Sequence, residues 1–189
     1  MVALAAAGVA GSGAPARAQD VAGGTGAGGW SWEADLGATL VSRSTNDTTT
    51  VGLARAQAVG VSVGRNFDRL HLFSRGEFNA WRDRRDDGSY DFVMIFDVGV
   101  GARFDYGGGR LRSSVAAGGT VLAIPADIDP VGTFGVFADL RPLAYAWPLG
   151  HGLRLGVVPL SLTLAVPVLT GIPLMSIQYR TTLFAERDF

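Results

Sequence analysis

The even positions from 90 to 104 are Tyr90, Phe92, Met94, Phe96, Val98, Val100, Ala102 and Phe104, an unbroken apolar row. The odd positions between them include Asp91, Asp97, Gly99, Gly101 and Arg103. A period of two kept up over this length is a strand with its side chains divided between two faces. Strands of soluble sheets are usually about 5–6 residues long. A strand that crosses a bilayer needs about 9–11, tilted. The stretch therefore reads as a transmembrane β-strand, and the rest of the chain repeats it.

Seven further segments alternate in the same way. Trp30 to Val41 sets Trp30, Trp32, Ala34, Leu36, Ala38 and Leu40 against Ser31, Glu33, Asp35, Gly37 and Thr39. The second segment spans about 51–65 and the third about 70–81. The fifth spans about 110–123, the sixth about 131–145, the seventh about 153–166 and the eighth about 174–189. In the third, His71, Arg75, Glu77 and Asn79 oppose Leu70, Leu72, Phe78 and Ala80. In the sixth, Thr133, Gly135, Asp139 and Arg141 oppose Phe134, Val136, Ala138 and Leu140. The seventh is blurred: Val158, Leu160, Leu162 and Leu164 suggest one face, but Leu155 and Val157 interrupt it. Turn signals separate the segments, at Asn66-Phe67-Asp68, Tyr106-Gly107-Gly108-Gly109 and Trp147-Pro148-Leu149-Gly150. Polar or proline-bearing links occupy 42–50, 82–89, 125–130 and 167–173. Short links between an even number of strands predict antiparallel neighbours, and closure into a barrel removes the free edges.

Alternation alone does not say which face is outside. A soluble lipocalin-like barrel that binds a lipophile would turn the apolar row inward. A membrane barrel turns it to lipid. Aromatics gather at the strand ends, with Trp30, Trp32, Phe104, Tyr145 and Trp147 at one end and Phe78, Trp81, Tyr90 and Phe92 near the other. That is the girdle expected where amphipathic rings meet the membrane surface. Charged residues make up only 17% of the chain, below the roughly 25% of soluble domains. The polar rows would fill the lumen, setting Glu33, Asp35, Glu77, Asp97, Asp139 and Glu186 against Arg75, Arg103, Arg112, Arg141 and Arg180. These charges nearly cancel, which suits pairing better than an ion path. Asp139 and Arg141 share a face and are one such expected pair.

All sixteen basic residues are arginine. Arginine suits buried, two-pronged ion pairs, although a GC-rich genome gives the same bias. With no cysteine, disulfides and thiol chemistry are excluded. A net charge near zero implies no nucleic-acid partner. No apolar run reaches the length of a helical membrane span. At the N-terminus, an apolar small-residue run from Val2 to Ala10 precedes Ala16-Arg17-Ala18. This reads as a signal peptide over 1–18 cleaved before Gln19, with no basic residue ahead of the apolar run. Residues 19–29 form a glycine-rich linker, and 30–189 the barrel.

The final segment ends in the aromatic Phe189, with Leu183, Tyr179 and Ile177 alternating before it. This resembles the assembly signal of bacterial outer-membrane barrels; Arg187 departs from it, since an aromatic or apolar residue is commoner there. The whole mature chain is similar to the small eight-stranded group that includes the OmpA transmembrane domain and OmpX. The resemblance implies an all-β, up-and-down transmembrane barrel in the bacterial outer membrane, exported and folded by the outer-membrane assembly machinery. Its surroundings would be the lipid bilayer and lipopolysaccharide.

Chemistry is harder to find. Gly60-Val61-Ser62-Val63-Gly64 matches the nucleophile-elbow spacing, but that elbow needs a strand-to-helix turn, and the sequence offers none. His71 and His151 fall near one end, but two histidines without a third ligand make a weak metal site. Asp127 and Asp129 are too few for calcium. Some barrels of this size modify lipid A through a His-x-Ser-Asn arrangement; here His71 is followed by Leu72-Phe73-Ser74. The charged run Arg82-Asp83-Arg84-Arg85-Asp86-Asp87 could meet lipopolysaccharide phosphates, but a solvated loop is the plainer reading. No enzyme, cofactor or metal is expected. The reading is a structural barrel for membrane integrity, with a narrow solute pore as its alternative. Deleting Phe189 is expected to lower barrel levels in cell membranes while leaving the unfolding midpoint of the folded protein nearly unchanged, because a side chain at the rim buries little.

Overall fold

The computed structural model describes residues 29–44, 53–84, 88, 90–123, 133–169, 172–173 and 175–189. The expected leader, residues 19–28, Asp127 and Asp129, and much of the links at 42–50, 82–89, 125–130 and 167–173 lie outside the described residues. Every regular element among the described residues is a strand. They are β1 (Trp30–Ser44), β2 (Leu53–Phe67), β3 (Leu70–Arg84), β4 (Tyr90–Tyr106), β5 (Leu111–Ala123), β6 (Thr133–Gly150), β7 (Leu153–Leu169), β8 (Ile172–Pro173) and β9 (Met175–Asp188). Each strand pairs antiparallel with its neighbours in the order β6-β5-β4-β3-β2-β1-β9-β7, and β6 pairs with β7 to close the ring. The two-residue β8 only extends the edge of β7. Eight long strands thus form a closed barrel, and closure satisfies every ladder within the sheet, as a bilayer requires.

Three tight turns lie at the end that carries Trp30 and Phe189. Each is made by residues held at positive φ: Asp68 at 58°, Gly107 to Gly109 at 60–78°, and Gly150, His151 and Gly152 at 97°, 52° and 74°. The third turn is His151-Gly152, not the expected Trp147 to Gly150, which continue as β6. Short turns mark the periplasmic end of such barrels.

The apolar rows face outward. Leu36 is 61% exposed, Val98 68%, Phe134 72% and Leu183 64%, while Asp97, Arg103, Asp139 and Arg141 are buried. A continuous apolar wall of this size is not stable in water. Each such side chain gains about 1.5–3 kcal/mol by leaving water for hydrocarbon.

Two prolines explain the blurred seventh segment and a change of facing in the sixth that the alternation did not show. The ladder slips at Pro142 on β6 and at Pro159 on β7, with two residues facing one on the partner strand. Proline has no N–H for the ladder and is confined to such places within sheets. Each bulge inverts the facing of the residues beyond it. On β6, odd residues Asp139 and Arg141 point inward, but Leu143 and Trp147 are exposed and Ala144 and Ala146 buried. On β7, Val158 is buried whereas Leu160, Leu162 and Leu164 are exposed, so Val158 does not share their face as the alternation suggested. The carbonyls released at the bulges stay satisfied: Ser113 Oγ donates to Pro142 O at 2.6 Å and Thr181 Oγ1 to Pro159 O at 2.8 Å.

The interior is not polar throughout. At the loop end, Val41, Ala56, Trp81, Val93, Ile95 and Leu122 form a buried apolar cluster. Trp81, expected in the girdle, is 3% exposed. It shares the parity of Arg75, Glu77 and Asn79, and parity outweighs position at a strand end. Deeper in, the Phe137 ring covers Gly99 and Gly118 and the Phe184 ring covers Gly156. A methyl added at Gly118 would sit 2.9 Å from the Phe137 ring and overlap the Val98 carbonyl. Gly76, on the outer face, has nothing within 4 Å of an added methyl. Gly118→Ala is therefore expected to destabilise the barrel by about 1–3 kcal/mol, and Gly76→Ala to change it by less than about 0.5 kcal/mol, measured by urea unfolding in phospholipid vesicles.

Candidate functional site

The chemistry of the interior is concentrated in two connected groups of charges. The first lies at mid-barrel, where closure brings β1, β3, β6 and β9 face to face. Arg75 is its centre: Nη2 lies 3.1 Å from Asp35 Oδ2, Nη1 lies 3.0 Å from Asp139 Oδ2, and Nη2 also contacts Glu77. Arg141 Nε donates to Asp139 Oδ2 at 3.2 Å, and its Nη2 to Asp35 Oδ2 at 3.2 Å. Arg180 contacts Glu77 and donates to Thr163 Oγ1 at 3.2 Å, and that hydroxyl donates to Asp139 Oδ1 at 2.5 Å. Asn79 completes the group, donating to Glu77 Oε1 at 2.8 Å.

The second group lies toward the turn end. Glu186 receives Arg103 at 2.7 Å, Arg112 at 2.5 Å and Arg154 at 3.4 Å. Arg103 also grips Asp105 with two prongs, at 2.9 and 3.3 Å. Glu33 links the groups, 3.5 Å from both Arg103 and Arg141. Arg112 lies over the Phe184 ring, 5.3 Å from its centre.

Ten of the eleven charged residues singled out in the sequence thus meet in one chain of contacts. Asp97 stands apart: it faces Thr120 across the ladder and joins none of these pairs. Alternation alone missed three contributors. Asp105 keeps the inward parity of Arg103 but lies just past the expected fourth strand, and Asp188, 2.8 Å from Arg154, keeps that of Glu186 at the very end of the eighth. Arg154 was hidden by the Pro159 inversion. In the wall, Trp30, Phe92, Phe104 and Trp147 are exposed at 57, 46, 54 and 48%. Trp32 and Tyr145 are partly exposed, and Tyr145 packs edge-on against Trp147. Phe78 packs against Phe96 with ring centres 4.8 Å apart. The Tyr90 side chain lies outside the described residues.

Among the described residues, no side chains form a catalytic constellation. Ser62 sits within β2, with no helix following. Ser31 Oγ lies 3.3 Å from His71 Nε2, but both are buried, and His71 Nδ1 has no acid to orient the ring. His151 is exposed in its turn, whereas His71 is buried. Among the described residues, no three His, Asp or Glu side chains are placed to hold a metal.

Arg75 balances three carboxylates that would otherwise face one another in the buried interior. Removing one partner from such a group typically costs about 3–5 kcal/mol, and Arg75→Leu is expected to fall in that range by urea unfolding in vesicles. Arg141→Glu should be similarly harmful. Adding Asp139→Arg is expected to recover little of that loss, because the new arginine would stand against Arg75.

No protein-family model and no curated protein sequence matches the chain. Solved structures do. Neisserial surface protein A is 10% identical, over 85% of this chain and 97% of that one, with a TM-score of 0.58. Ail, the attachment invasion locus protein of Yersinia pestis, is 10% identical over 86% and 99%, with a TM-score of 0.48. The outer membrane protein OprG from Pseudomonas aeruginosa is 8% identical over 86% and 96%, with a TM-score of 0.45. The likeness to Neisserial surface protein A is one of fold alone. This chain has the fold of the small eight-stranded outer-membrane β-barrels.

Proposed function

We propose that this protein is a non-catalytic structural barrel of the bacterial outer membrane, with its lumen filled by paired charges and with a role in membrane integrity rather than transport. The observation that carries the reading is the contact of Arg75 with Asp35, Glu77 and Asp139, which ties β3 to β1 and β6 across the bore. An eight-stranded barrel is only just wide enough for its own side chains. The void bounded by Arg75, Glu77, Asp97, Phe137, Asp139 and Thr163 is too small for a water molecule. Beyond it, the apolar cluster around Trp81 gives ions no polar partners at the outer mouth. A hydrophobic constriction of this kind resists wetting. The partners of such a barrel are the bilayer and lipopolysaccharide around its wall, and the assembly machinery that inserts it.

In planar bilayers the unmutated protein is expected to form no stable, long-lived channel. Ile95→Asp combined with Arg75→Leu should produce measurable leak, because it removes the apolar cap and one side of the charge network together. Steady conductance from the unmutated protein would replace this reading with that of a narrow solute pore.

A further inference from the structure

Two arginines stand side by side on the outward wall at the loop end. Arg55 is on β2, and Arg82 is on β3, which continues past its expected end into the charged run. Both are exposed, as is Gln57, the next outward residue below Arg55. The ladder pairs Ala56 with Trp81. One step further sets Arg55 beside Arg82, about 5 Å apart at the spacing of neighbouring strands. Among the described residues, neither arginine makes an ion pair or a ring contact. The outward rows of β2, β3 and β4 hold no carboxylate. Asp83 and Asp91 pair with each other in the alternate row, at the parity of buried Trp81 and Val93. Like charges directly opposite in a ladder repel, and nothing described in the wall offsets these two. Further down the same three strands the wall is notched. Gly76 lies between Val61 of β2 and Val98 of β4, and nothing stands within 4 Å of a methyl added there. Val59, Val61, Phe78, Phe96 and Val98 border a space of about 230 Å³ around it.

We propose that the β2–β4 face seats one lipopolysaccharide molecule, with a lipid A phosphate between Arg55 and Arg82 and an acyl chain in the notch at Gly76. Guanidinium forks match phosphate oxygens in pairs, and a phosphate between two adjacent arginines removes their mutual repulsion. Gln57 adds a neutral amide donor beside them. Arginine stems lie along apolar wall while their heads reach the membrane surface. From Arg82 to Gly76 is six residues, about 20 Å along the strand. At a tilt of about 45° that is about 14 Å of depth, roughly half the hydrocarbon thickness. A lipid anchored at the arginines therefore brings its chains to the notch without leaving its own leaflet. A free phosphate would use the arginines alone; a lipid uses both features. The tight turns mark the opposite end as periplasmic, so this leaflet is the outer one, whose phosphorylated lipid is lipopolysaccharide. The inference rests on the proposed lipopolysaccharide surroundings of the barrel and not on its lumen being plugged.

The test is native mass spectrometry of the folded barrel in detergent, offered equimolar diphosphoryl lipid A and phosphatidylglycerol. The unmutated protein should retain one lipid A in preference to phosphatidylglycerol. R55Q and R82Q should each lower that retention by about fivefold, and R55Q/R82Q should abolish the preference. If the double variant folds poorly, the two single variants carry the test. G76L, which fills the notch and leaves both arginines in place, should also lower lipid A retention. R110Q, at the turn end, should leave it unchanged. Equal retention of the two lipids by the unmutated protein would overturn the proposal, as would undiminished preference in R55Q/R82Q. Undiminished retention by G76L would overturn it too, since the arginines would then be holding a headgroup with no chain seated below. Conductance is not read here, so none of these outcomes bears on the plugged lumen.

Discussion

An arginine held among carboxylates from three strands is the interaction on which this barrel depends. Arg75 reaches Asp35 on β1 and Asp139 on β6, so its contacts span the bore rather than a single ladder. Such contacts exist only when the ring is closed and every strand keeps its facing. A one-residue slip of one strand would turn its charges to lipid, at about 2–4 kcal/mol for each midplane arginine. It would also leave the partners across the bore unpaired. Facing, register and closure are therefore selected together by the same few groups.

Much of this was legible in the alternation. Strand number and the inward rows come from period two, direction from the short links, and closure from the need to remove free edges. The interior pairs were legible as a set of facing charges but not as partners. Parity says that Arg141 and Arg180 point inward; only the ring's closure says that one meets Asp35 and the other Glu77. Trp81 shows the limit of reasoning from composition at strand ends, since its parity placed it inside whatever its type.

The harder failure lay at Pro142 and Pro159. Period-two reading carries facing forward from residue to residue, and a single extra residue inverts everything beyond it. Tyr145 and Trp147 belong to the outer wall only because the count slips at Pro142. Arg154 belongs to the interior only because it slips at Pro159. A proline inside a long alternating stretch marks such an inversion, and the hydroxyls of Ser113 and Thr181 that cover the released carbonyls lie on adjacent strands. That pairing of proline with a neighbouring hydroxyl cannot be read before the strands are aligned.

The apolar cluster of Val41, Ala56, Trp81, Val93, Ile95 and Leu122 fills the loop end of the interior, and the charged groups lie beyond it toward the turns. In a barrel plugged as proposed, contact on one side would reach the other only as mechanical strain through the wall, not as a moving ion or proton. Such a barrel would hold two faces of one membrane at a fixed spacing and keep them chemically insulated from each other.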